Sequence, residues 1–103
     1  MLNDINNVFL IHAKQFIYDI HNIENKPCVN LDLLTNNEVL GIYSRKREKV
    51  MNILMASRNI LVEESYLNKL RSLNSLPRCV AIVLESIPCN YEGEPFINSN
   101  LLN

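Results

Sequence analysis

Apolar residues recur at three- and four-residue steps along most of this chain, and polar runs divide the pattern into four segments. In the first, residues 4–24, Ile5, Phe9, His12/Ala13, Phe16, Ile20 and Ile23 fall on one stripe at helical spacing. Asn3 or Asp4 is placed to cap its start. Leu10 and Ile17 widen the stripe, while Ile11 and Tyr18 fall among Asn7, Lys14 and His21/Asn22 on the side that should face water. This helix is more apolar than one with a single covered face needs to be. Asn25-Lys26-Pro27 stops it, since proline restricts the residue before it and offers no N–H. Cys28–Leu34 is a connector holding either one helical turn or a short extended stretch.

The second helix opens on Thr35-Asn36-Asn37-Glu38, the spelling of a capping box, in which hydroxyl and carboxylate each accept from the other residue's N–H. It should run to about Ser57. Val39, Leu40, Ile42 and Tyr43 lie before a polar girdle, Ser44–Lys49; Val50, Met51, Ile53, Leu54 and Met55 lie after it. Around Asn59 the chain either kinks or continues, and Glu63 and Glu64 suit the positive end of a third helix dipole. Tyr66, Leu67, Leu70 and Leu73 give that helix a buried side, and Asn74-Ser75 ends it.

Cys79–Leu84 is a continuous apolar run that fits either a buried strand or a buried helix. No second segment alternates like a strand, and Pro77 follows a possible Ser75 cap, so a helix is expected, closed by Pro88. From Cys89 onward Asn, Gly, Pro and Glu separate Tyr91, Phe96, Ile97, Leu101 and Leu102. The pattern therefore predicts an all-α fold: a small antiparallel bundle of three to four helices over residues 1–88, with a loose C-terminal tail at 89–103.

Composition changes this picture little. At 103 residues the chain makes one domain, and 48% hydrophobic with 20% charged residues is a folded rather than a disordered balance. A net charge of −1 supplies no overall field to draw in nucleic acid or anionic lipid. Absence of a leader-like start, of a membrane-length apolar run and of a glycosylation sequon, with three unclustered cysteines, leads us to expect an intracellular protein, cytoplasmic or nuclear.

Among chemical constellations, the basic cluster Arg45, Lys46, Arg47 and Lys49, with Arg58 further on, is the nucleic-acid candidate. At a hundred degrees per residue Arg45 and Lys49 fall on one side, Arg47 and Arg58 on another, and Lys46 within the apolar stripe. A single phosphate-tracking face is not spelled out, and a solvated girdle is the favoured reading. His12 has Phe16 where a metal site would place a second ligand, so it is expected in the core or an interface. Cys79 reads as a small buried hydrophobe and Cys89 as exposed.

No nucleophile context, glycine-rich phosphate loop or facing carboxylate pair occurs, so no enzymatic activity and no cofactor are expected. What remains is surplus hydrophobicity. Ile11, Tyr18, Leu40, Met51, Met55 and the tail's Phe96-Ile97 are more than one small bundle should hide, and exposed apolar area marks association surfaces. The expected interface residues are Ile11, Phe16, Tyr18, Phe96 and Ile97. The expected role is a protein-protein interaction module, a homo-oligomer or a subunit of a larger assembly.

Overall fold

The computed structural model describes residues 2–27, 29–56 and 64–88, with side chains from residue 7 onward. These form four α-helices and one 3-10 turn: α1 (Leu2–Ile23), the turn Leu31–Leu33, α2 (Asn36–Ala56), α3 (Glu64–Arg71) and α4 (Arg78–Glu85). The fold is an all-helical small bundle, with no strand among the described residues. Arg58, the expected kink near Asn59, Cys28, Cys89 and the whole tail lie outside the described residues, Phe96 and Ile97 included.

α1 starts at Leu2, so Asn3 and Asp4 lie within it rather than capping it. Its end is a Schellman motif. Asn25 adopts a left-handed backbone (φ 58°), the Lys26 N–H reaches the His21 carbonyl at 2.9 Å, and the Asn25 N–H reaches that of Asn22 at 3.2 Å. Asparagine tolerates this conformation better than most residues, and Pro27 then prevents any resumption of the helix.

The connector turns back along α1. Tyr18 accepts the Leu31 N–H on its hydroxyl at 3.0 Å, and Lys14 pairs with Asp32 at 2.8 Å. The capping box then forms as spelled: the Thr35 N–H donates to Glu38 Oε1 at 3.0 Å, and the Glu38 N–H to Thr35 Oγ1 at 3.1 Å. Because the connector has retreated along α1, α2 begins beside the middle of α1. Tyr43 meets the rings of Phe9 and Phe16 edge-on, whereas Lys46 and Lys49, within the next two turns, meet Glu24 just past the far end of α1. Contacts thus advance in the same sense along both helices. This pair is not a strict up-and-down hairpin.

The core follows the predicted stripes. Ala13, Phe16, Ile17 and Ile20 of α1 pack with Val39, Tyr43, Val50 and Leu54 of α2, Leu67 and Leu70 of α3, and Val80 and Leu84 of α4. Each fully buried large side chain contributes about 1.5–3 kcal/mol by leaving water. α4 is a helix because Val80, Leu84 and Ile87 recur at helical spacing and are buried, which leaves Cys79 and Ile82 exposed. Cys79 is therefore not the buried hydrophobe expected of it. Ser75 caps nothing: Pro77 occupies the cap position without a side-chain bond, and the Ser75 hydroxyl donates to Asp19 Oδ2 at 2.6 Å.

Candidate interaction surface

The apolar surplus of α1 divides into two halves. Toward its C-terminal end, the connector covers the expected wet face: Leu31 is buried and Tyr18, half-buried, is tied to it through its hydroxyl. Toward its N-terminal end the face is open. Ile11 is 66% exposed and Val8 56%, one turn apart on the same side as Lys14. The Lys14–Asp32 pair joins that side to the connector, whose Leu33 is 82% exposed. Leu33 is a residue that sequence reasoning missed. The sequence asks all four aliphatic side chains of the connector to pack somewhere, whereas the structure buries Leu31 and leaves Val29 and Leu33 exposed.

The other expected interface residues separate. Phe16 has no exposed surface and belongs to the core, since its ring lies edge-on to Tyr43 within the α1–α2 contact. Leu40 and Met51 are half-buried against the core, and Met55 is exposed.

Part of the basic girdle is engaged within the molecule. Glu24, the turn residue after α1, accepts from Lys46 at 3.0 Å and from Lys49, with Lys26 at 3.6 Å. Lys46 explains its place in the apolar stripe this way, since its ammonium reaches across the helix contact to a carboxylate. Burial pushes the Glu24 carboxyl up, but the hydrogen bonds and charges of Lys49 and Lys46 outweigh it and hold the group at about 2. Arg47 lies over the Tyr43 ring, 5.5 Å from its centre. Arg45 is exposed on α2. The structure does not gather Arg45, Lys46, Arg47 and Lys49 onto one outward face.

His21 packs beside this cluster with its Nδ1 buried; burial, then the Lys46 charge, lowers its pKa. His12 is exposed, which excludes the core half of the core-or-interface expectation, and it lines an open groove of about 430 Å³ that Cys79 and Arg47 also line. Its place on the stripe misled because the stripe's edge there faces the groove rather than a packed helix. No group of three metal-ligating side chains occurs among the described residues. No described helix is long and apolar enough to cross a membrane. Compared with known proteins, the chain matches no family model, no curated protein and no solved structure.

Proposed function

We propose that this chain is a small, non-enzymatic protein-protein interaction module, a homo-oligomer or a subunit of a larger assembly, whose contact surface centres on Val8, Ile11 and Leu33. The observation that carries this reading is the exposure of Ile11 and Leu33 on the two elements that the Lys14–Asp32 pair joins. Large aliphatic side chains left exposed on two joined elements favour a covered state over a hydrated one. The rival reading, nucleic-acid binding through the girdle, has weaker support, because Lys46 and Lys49 are committed to Glu24 and Arg47 to Tyr43.

Ile11→Asp and Leu33→Asp should each leave helix content unchanged and reduce self-association or partner capture. Size-exclusion chromatography with light scattering, and pull-down from the native cell, measure both. A monomeric wild type that captures nothing would end the proposal, as would variants that associate unchanged. Phe16→Asp serves as the contrast, because it should unfold the core rather than spare the fold.

A further inference from the structure

A second surface lies away from the α1 face. Between α4 and the end of α3 with the connection that follows it runs a groove of about 620 Å³, within the roughly 300–1,000 Å³ of pockets that hold small ligands. Its floor is apolar: Leu73, Leu76, Ala81, Leu84 and Ile87 line it. Arg71 and Glu85 stand among its polar lining. Arg71 also holds the groove's walls together, since its guanidinium donates to Glu64 on α3 at 2.9 Å and to the Ile87 carbonyl beyond α4 at 3.2 Å. The groove is therefore built before anything enters it.

We propose that the chain's own C-terminal segment, through Phe96-Ile97, docks in this α3–α4 groove. The proposal goes beyond the interaction surface on α1 and does not depend on it. The described chain ends at the groove itself, and the 89–103 segment carries the right side chains within reach. Ile87, part of the groove floor, is two residues before the start of that segment. Phe96 stands nine positions beyond Ile87, a length of chain that spans roughly 30 Å if extended. That far exceeds what a return to an adjoining groove requires, and Asn90, Gly93 and Pro95 are residues suited to the reversal. Phe96-Ile97 is then the first adjacent pair of large apolar side chains after Ile87. A tethered segment also meets its groove at high effective concentration, so a short contact suffices.

The full chain contains no tryptophan, so Phe96→Trp places a single reporter in the segment. Its emission should be blue-shifted and shielded from a soluble quencher, and unchanged across a dilution series. Adding Ala81→Arg, which fills the groove at a half-exposed helical position, should shift the emission to the red and restore quenching, with helix content intact by circular dichroism. Ile97→Asp, a change in the segment rather than in the groove, should do the same and decides the matter if Ala81→Arg perturbs folding. Red, quenchable emission in Phe96→Trp alone overturns the proposal. So does a blue shift insensitive to Ala81→Arg in a folded chain, or one lost on dilution, which would assign the contact to a second copy. None of these outcomes bears on Ile11 or Leu33, so the two proposals fail separately.

Discussion

Glu24 sits one residue beyond α1, where the left-handed Asn25 turns the chain and three lysine side chains approach one carboxylate. Its value as an interaction depends on being charged. The folded-state pKa, about 2, lies below the ordinary 4.5. The stabilisation is therefore present above about pH 4.5 and is lost as pH falls toward 2. Solvent at the cluster screens it, so Glu24→Gln should cost about 1–2 kcal/mol at neutral pH and almost nothing near pH 2. Urea denaturation at the two pH values measures the difference. An equal cost at both would mean that shape, not charge, holds the cluster.

At the scale of elements, α2 carries an avoidable weakness. Gly41 lies in its second turn, half-buried, and among the described residues a Cβ placed there would meet Arg45 Nη1 at an ordinary 3.5 Å. Glycine within a helix costs roughly 0.5–1 kcal/mol relative to alanine, mostly through the freedom it has when unfolded. Gly41→Ala should accordingly stabilise the protein by about that amount, read as a raised melting temperature. A loss of stability instead would show that the α1–α2 contact needs a bare backbone at this point. The capping box at the start of the same helix needs no such repair, since both of its hydrogen bonds are made.

At the scale of the whole molecule, Glu24, His21 and Tyr66 are among the described groups that shape a stability plateau, with Glu38 lowered alongside Glu24 and Lys49 raised alongside Tyr66. Glu24 is lowered and His21 is lowered, so both favour the fold at higher pH and withdraw their contributions as pH falls, His21 below about 6.5 and Glu24 below about 4.5. Tyr66 behaves in the opposite sense. Burial, aided by the Glu24 charge, pushes its phenol up to about 12 from 10.0, so its contribution holds below pH 10 and fades as pH rises toward 12. Melting curves across pH should show both arms, and Tyr66→Phe should flatten the alkaline one. If that arm survives the substitution unchanged, Tyr66 ionisation is not its cause.

Local chemistry was enough to place the helices of this protein, though not the caps expected at Asn3 or Asp4 and at Ser75. The Thr35–Glu38 box, the Asn25-Lys26-Pro27 stop and the helical spacing of Phe16, Val39, Leu54, Leu67 and Leu84 concern neighbours within a turn or two, which a linear reading compares directly. Even the place of Lys46 in the apolar stripe was visible. Its partner Glu24, twenty-two residues away, was not. Only the tertiary structure decided which stripe edges are covered. His12 and Cys79 emerged as exposed, Phe16 as core and Leu33 as open surface, because each depends on where the returning connector and α4 come to rest. The same return of the connector, held by Tyr18 and Lys14, set the direction in which α2 crosses α1. A helical period reports which residues share a face; which neighbour meets that face is settled by contacts distant in sequence.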